Sequence, residues 1–216
     1  MQQDYILRMI EQLGVFVRRV AGLKHEGKTG EAFQAIGEAF GSLGGLNASL
    51  VHALSEDDLI NLLRARGAID SDRCLALAEI LREEADLYED LGQPEQALPR
   101  YLKSLRLHLE AFPDPEDAPL PVSTSAIENL VDRVPAAALS FQTFDYLISF
   151  LTDSGEYARA ENVLLERREA LPEEDLALGI GEEFYRSVLE QPDDGIEAGG
   201  LSREEAEDGL TAWLEG

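Results

Sequence analysis

The side chains most able to do chemistry in this chain are three histidines, His25, His52 and His108, and one cysteine, Cys74. Helical metalloenzymes place ligands at set spacings, such as HExxH or Glu-x-x-His, because these spacings bring two ligands to one face of a helix. None of the three histidines lies in such a pattern. The sequence also contains no glycine-rich phosphate loop after a strand and no nucleophile elbow. We therefore expect no enzyme activity, no metal and no cofactor.

One acidic motif, DDLIN at Asp57–Asn61, has residue types that could bind a divalent cation. It resembles the aspartate-rich motif with which terpene synthases, which are also all-α, hold magnesium. The sequence has no second metal-binding motif, and the helix dipole alone favours acids in the first turn of a helix. An all-α enzyme with an unrecognised site is therefore kept only as a further alternative.

The net charge of the chain restricts its partners. The sequence has 43 acidic and 18 basic residues, a net charge of −25, and such a surface repels the phosphate backbone of nucleic acids. Residues 1–30 carry five basic and three acidic side chains, a net of +2, so the remainder carries −27. We expect no nucleic-acid partner. The acidity has two interpretations: a solvated surface, as in a salt-rich cell, or an acidic face that binds a basic protein.

The N-terminal residues, MQQDYILRMIEQ, mix charged and apolar side chains. A signal peptide or a membrane span needs an uninterrupted apolar run instead. A single cysteine cannot form an intramolecular disulfide, which fits a reducing compartment. We therefore expect a cytoplasmic protein that does not bind membranes.

Nearly every segment has apolar residues at the helical period, and no long alternating run favours a strand. The first helix is predicted from about Gln3 to His25. Ser55 is a predicted N-cap, and Ser202 with Glu205 has the spacing of a capping box. The sequence predicts an all-α fold of about ten helices in stacked antiparallel hairpins.

A proline-rich stretch, FPDPEDAPLPV, is too polar and too constrained for a helix or a strand. It marks a predicted joint at residues 113–122. With 216 residues, 44% of them apolar, the chain can bury a sizeable core. We interpret residues 1–216 as a single all-α domain with this joint between its halves.

A spacing of glycine, alanine and a large residue recurs along the chain. Gly92 is followed five residues later by Ala97, and Tyr101 comes four residues after that. The same spacing starts at Gly27 and at Gly155, which are 65 and 63 residues from Gly92 and so about two periods of a roughly 34-residue unit. Glycine can adopt the left-handed conformation that ends a helix, and alanine lets two helices approach closely. The pattern predicts repeated helical hairpins.

These residues resemble the tetratricopeptide repeat. The copy over residues 78–113 has Leu81, Ala85, Tyr88, Gly92, Ala97 and Tyr101. The copy over residues 141–172 has Phe144, Leu147, Gly155, Tyr157, Ala160, Leu164 and Pro172. A weaker third copy lies around Phe16 to Ala39. The resemblance implies an α-solenoid, made irregular by Pro99 and by intervening units without the motif, and an ordinary helical bundle is the alternative.

In this repeat family the first helix of each hairpin lines the ligand-binding face. Carried over to this sequence, the resemblance implies two sets of partner-binding residues. They are Glu79, Arg82, Asp86, Glu89 and Asp90 in the first copy, and Gln142, Asp145, Ser149, Thr152 and Asp153 in the second. Acids dominate both sets, and the Lys and Asn pattern with which some members bind a C-terminal carboxylate is missing. We therefore expect a basic partner.

The combined expectation is a non-enzymatic scaffold that binds a peptide or helix of a basic protein through an acidic concave face. The alternative is a self-assembling structural protein, for example a homodimer, that uses its N-terminal helix. The opening MQQDYILRMIEQLG resembles the start of a group of uncharacterised bacterial proteins, and this resemblance implies no activity.

Overall fold

A computed structural model describes residues 2–43, 46–65, 68–111, 124–172 and 175–215. These residues form an all-α fold, which confirms the predicted fold class. Their twelve α-helices are α1 Gln2–His25, α2 Thr29–Ser42, α3 Ala48–Ala53, α4 Glu56–Leu63, α5 Ser71–Asp90, α6 Pro94–Glu110, α7 Thr124–Val131, α8 Phe141–Asp153, α9 Tyr157–Ala170, α10 Asp175–Leu189, α11 Asp193–Ala198 and α12 Arg203–Glu215. Within the described ranges, no helix has the length and apolar character that crossing a membrane requires.

Two helices exceed the ten that the sequence predicts. They are α3 and α11, each of six residues, and so short an element cannot show a clear helical period. Two further elements were not predicted: a 3₁₀ turn at Ala136–Ala138 and a two-residue antiparallel pair, Arg64–Ala65 with Ala68–Ile69.

The chain divides into two compact units, Met1–Val134 and Pro135–Gly216. The predicted joint at residues 113–122 lies outside the described residues. The joint and the single-domain organisation therefore stay predictions.

Helical hairpins build both units. In the first unit α1 pairs with α2, α5 pairs with α6, and α5 also packs against α1 and α2. In the second unit α8 pairs with α9, and α10 packs against both of them and against α12. Gly27, Gly92 and Gly155 have φ values of +69°, +68° and +75° between paired helices. The predicted left-handed turns are confirmed at all three glycines.

The residues that follow these glycines lie inside the hairpins. Ala32, Ala97 and Ala160 are at most 2% exposed, and the larger residues four positions later are also buried. The small alanine side chains let the paired helices come close, while the larger residues fill the space beside them. The structure therefore fits a helical repeat.

Local capping also follows the predictions. The Ser55 hydroxyl accepts a hydrogen bond from the Asp58 backbone N–H at 3.1 Å, which starts α4. Ser202 and Glu205 form the predicted capping box at α12, with the Ser202 N–H donating to the Glu205 carboxylate at 2.8 Å. Pro99 lies inside α6 without ending it.

Candidate functional site

Three of the predicted partner-binding residues line a cavity in the first unit. The cavity has a volume of about 440 Å³ and lies between α5 and the α7 segment. Its lining residues are Glu79, Arg82, Asp86, Ser125, Ala126, Asn129, Leu130 and Arg133. The remaining two predicted residues of α5 lie elsewhere: Glu89 is half exposed, and Asp90 forms an ion pair with Lys24 of α1 at 2.8 Å.

Arg82 neutralises the carboxylates on its own helix. Its Nη2 atom donates to Glu79 Oε2 at 2.8 Å and to Glu83 Oε1 at 2.7 Å. Its Nη1 atom donates to Asp86 Oδ2 at 3.0 Å. Burial alone lowers the pKa of Arg82, but the neighbouring carboxylates outweigh burial and raise it above its ordinary value. Without this guanidinium, three acids within two helical turns would repel one another.

His108 approaches Glu79 from across the hairpin. The ring is fully buried on α6, with Nδ1 2.9 Å from the Ser104 carbonyl and Nε2 3.2 Å from Glu79 Oε1. Both ring nitrogens therefore face oxygen atoms, and an N–H on either nitrogen can donate to the oxygen that it faces. Burial by itself raises the pKa of Glu79, but His108 and Arg82 outweigh burial and lower it to about 2.

The pKa of Glu83 shifts in the opposite direction from that of Glu79, although both carboxylates bind Arg82. Its side chain is 7% exposed. Burial raises the pKa of Glu83, and the attraction of Arg82 does not compensate for it. Two carboxyls one helical turn apart are thus tuned in opposite directions by their surroundings.

Tyr101 and Arg133 contact the carboxylates at the other end of this face. The Tyr101 hydroxyl lies 2.7 Å from both Asp86 Oδ1 and Glu89 Oε2, to which it can donate. Arg133 Nη1 donates to the Tyr101 oxygen at 2.8 Å and also contacts Glu89. Burial and these two carboxylates raise the pKa of Tyr101, so the phenol stays a donor. The acidic residues of α5 thus face cations and donors of the same unit.

The second unit has a cavity with different electrostatics. About 190 Å³ in volume, it lies between α8 and α10. Four predicted residues line it on α8: Asp145, Ser149, Thr152 and Asp153. From the same helix Ile148 also contributes, and α10 adds Ile180, Glu183, Phe184 and Ser187. The fifth predicted residue, Gln142, is exposed on α8 and lies outside the cavity.

The second cavity differs from the first in the partners of its acids. Asp145, Asp153 and Glu183 form no ion pair with any residue that the structure describes. None of the described lining residues is basic. Ile148 and Phe184 are 3% and 2% exposed and form an apolar floor. We name this feature, with its three acids and its two apolar floor residues, the α8–α10 groove.

Sequence reasoning missed several of these contributors, including His108, Glu83, Arg133 and Glu183. The sequence of the α5–α6 hairpin did contain a signal for His108. Asp86 lies seven residues before position 93, and Tyr101 lies seven residues after position 94. Glu79 lies fourteen residues before position 93, and His108 lies fourteen residues after position 94. Residues at equal distances from the centre of a hairpin turn lie across from each other, so this register pairs His108 with Glu79.

The acidic motif at Asp57–Asn61 lies in the first two turns of α4. Ser55 caps this helix and its hydroxyl donates to Asp58 Oδ2 at 2.8 Å, while Asp57 Oδ1 lies 3.8 Å from Arg106 Nη2. In the part of the chain that the structure describes, no three His, Cys, Asp or Glu side chains are grouped so that they could hold a metal ion.

Comparisons with curated proteins and with solved structures found no match. A family model does match, and it covers residues 1–215. It is described as a family of unknown function, so its identity supplies no activity for either cavity. By this match over nearly its whole length, the chain belongs to the family of unknown function DUF6483.

Proposed function

We propose that this protein is a non-enzymatic scaffold that binds a peptide or helix of a basic protein partner in the α8–α10 groove. The observation that carries the proposal is the combination of three unopposed acids, Asp145, Asp153 and Glu183, with an apolar floor. Charge complementarity orients a basic partner, and burial of an apolar side chain on the floor adds affinity.

The spacing of the acids defines the ligand. Asp145 and Asp153 are eight residues apart on α8, which is about 12 Å along a helix axis. A helical ligand would match this distance with basic residues two turns apart. An extended ligand would match it with basic residues about four positions apart. In both cases an apolar residue between the two basic ones would contact Ile148 and Phe184.

The hairpins of both units also support a finer assignment, a tetratricopeptide-like repeat. Support comes from the glycine turns, the buried alanines and the packing of α10 against both helices of the preceding hairpin. In such repeats the first helix of each hairpin contacts the ligand, and α8 is a first helix. The acidic face of α5 fits this role less well, because its carboxylates already contact Arg82, His108 and Arg133 of the same unit.

The test compares two triple charge reversals with the wild-type protein. The groove variant carries Asp145→Lys, Asp153→Lys and Glu183→Lys. The control variant carries the same charge change at exposed acids away from the groove: Glu197→Lys, Glu207→Lys and Asp208→Lys. Each protein is immobilised, exposed to a lysate of the source cells and analysed by mass spectrometry, and circular dichroism verifies that the helices persist.

The proposal expects a basic protein that the wild type and the control variant retain and that the groove variant loses. Its retention should weaken as salt rises, because the Debye length falls from about 10 Å at 0.1 M to about 3 Å at 1 M. Equal loss by both variants would show that only net charge matters. Retention by both would show that the groove does not bind the partner.

A further inference from the structure

Arg133 lies just after α7 and reaches the α5–α6 hairpin with one end of its guanidinium. Its Nη1 atom contacts Glu89, donates to the Tyr101 hydroxyl at 2.8 Å and lies 3.5 Å from Asp86 Oδ1. The side chain is 42% exposed. Its Nε and Nη2 atoms form no hydrogen bond with the residues that the structure describes. The contact therefore uses one nitrogen of three and stays open to solvent.

Two of the groups that receive Arg133, Asp86 and Tyr101, are held in place without it. Asp86 uses its Oδ2 atom to bind Arg82 at 3.0 Å, which turns Oδ1 toward Arg133. The Tyr101 side chain is 3% exposed, so its ring is fixed in the hairpin. We name Asp86, Glu89 and Tyr101 the guanidinium seat. A seat in which two of the three members are already oriented loses less entropy when a ligand enters.

The chemistry of the seat favours arginine over lysine. The Arg133 guanidinium lies 5.4 Å from the centroid of the Tyr101 ring, within the range of a cation–π contact. Two carboxylates and a hydroxyl surround its Nη1 atom, and a planar fork with further N–H groups can bind them together. An ammonium group has no plane to lie against the ring.

Space for a ligand adjoins the seat. The 440 Å³ cavity between α5 and the α7 segment includes Asp86 and Arg133 in its lining, and its size is in the range of small-ligand and peptide side-chain sites. A chain segment in this cavity could present its own arginine to the seat once Arg133 turns away into solvent.

We propose that the guanidinium seat binds an arginine of a partner protein, and that Arg133 is an internal competitor which this arginine displaces. The proposal concerns the first unit and does not depend on the α8–α10 groove. Arg133 thus acts as an autoinhibitory contact: it keeps the seat filled until a segment with a better-placed arginine enters the cavity.

The competition sets the size of the expected effect. An ion pair as exposed as that of Arg133 contributes at most about 1 kcal/mol, which corresponds to about a fivefold change in an equilibrium constant. Removing Arg133 should therefore tighten the binding of an arginine ligand about fivefold.

The probe is a fluorescent triarginine amide, measured by anisotropy at 0.15 M salt, with trilysine amide as the comparison. The variants are Arg133→Ala, Arg133→Ala with Glu89→Gln, and the control Arg186→Ala. Arg186 is exposed on α10 in the second unit, where it pairs with Glu182 at 2.7 Å. Both single variants remove one positive charge, so a general electrostatic effect would be equal in the two.

We expect about fivefold tighter triarginine binding by Arg133→Ala, no change by Arg186→Ala, and loss of the gain when Glu89→Gln is added. Equal tightening by the two single variants, or equal tightening for trilysine, would overturn the proposal. Self-association of Arg133→Ala in light scattering would also overturn it, because a second copy would then occupy the seat. If Arg133→Ala does not fold, NMR of the Arg133 Nε–H in the wild type decides: triarginine must shift this signal, and an unchanged signal at saturation refutes displacement.

Discussion

Replacing Glu79 with glutamine should destabilise the first unit by an amount that depends on pH. The Glu79 side chain is 13% exposed and lies between Arg82 and the fully buried His108. Glutamine keeps the shape of the side chain and removes its charge. Arg82 and His108 then lose the carboxylate that they share, and breaking a buried ion pair by removing one partner costs roughly 3–5 kcal/mol.

The pKa of Glu79 gives a second measure of this effect. The structure lowers that pKa from 4.5 to about 2, and a shift of this size corresponds to about 3 kcal/mol. Because the folded-state pKa is the lower one, this stability is fully present above pH 4.5 and is lost as the pH falls toward 2. The cost of Glu79→Gln should therefore shrink from about 3 kcal/mol at pH 7 to about 1 kcal/mol at pH 3.

Urea denaturation followed by circular dichroism at several pH values measures this cost. Glu83→Gln is a matched control, because Glu83 lies on the same helix and binds the same Arg82 at 2.7 Å. Burial raises the pKa of Glu83, so its charged form weakens the fold as the pH rises above the ordinary value. Glu83→Gln should leave the stability at pH 7 unchanged or slightly higher. A cost for Glu79→Gln below about 1 kcal/mol, or equal costs for the two variants, would refute the roles assigned to His108 and Arg82.

Three further predictions concern packing and reactivity. Ala97→Leu should lower the free energy of unfolding, measured in urea, by about 1–3 kcal/mol, because Ala97 is 2% exposed. Ala198→Leu, at the exposed end of α11, should lower it by less than about 0.5 kcal/mol. Equal losses would contradict close packing at Ala97. Gly181→Ala would place its Cβ 2.0 Å from the Trp213 ring, so the emission of this single tryptophan should shift to the red, and an unshifted spectrum would contradict the contact. The Cys74 thiol is fully buried, and burial raises its pKa to about 12, so it should react with Ellman's reagent only after unfolding; rapid reaction of the native protein would show that Cys74 is accessible.

The candidate site was predictable only in part. The resemblance to a helical repeat led to α5 and α8, and residues from each helix line a cavity: Asp86 is one example and Asp145 another. Register in the hairpin could have paired Glu79 with His108. Sequence gave no means of placing Glu183 beside Asp145, because α10 reaches α8 only through the packing of separate helices.

The features that the sequence by itself determined are those that depend on near neighbours. Apolar periodicity selects helices, a capping serine such as Ser202 starts one, and a glycine such as Gly92 ends one, because each acts within a few residues along the chain. These local rules were sufficient for the all-α class and for the hairpin turns.

Only the tertiary structure decided which acids lie beside a cation and which do not. Asp86 and Asp145 look alike in the sequence, both on first helices of predicted hairpins. In the fold Asp86 lies against Arg82 and Arg133, whereas Asp145 shares its groove with Glu183 and no described cation. Electrostatic energy depends on distances in space, and those distances are set by how helices far apart in the chain pack together.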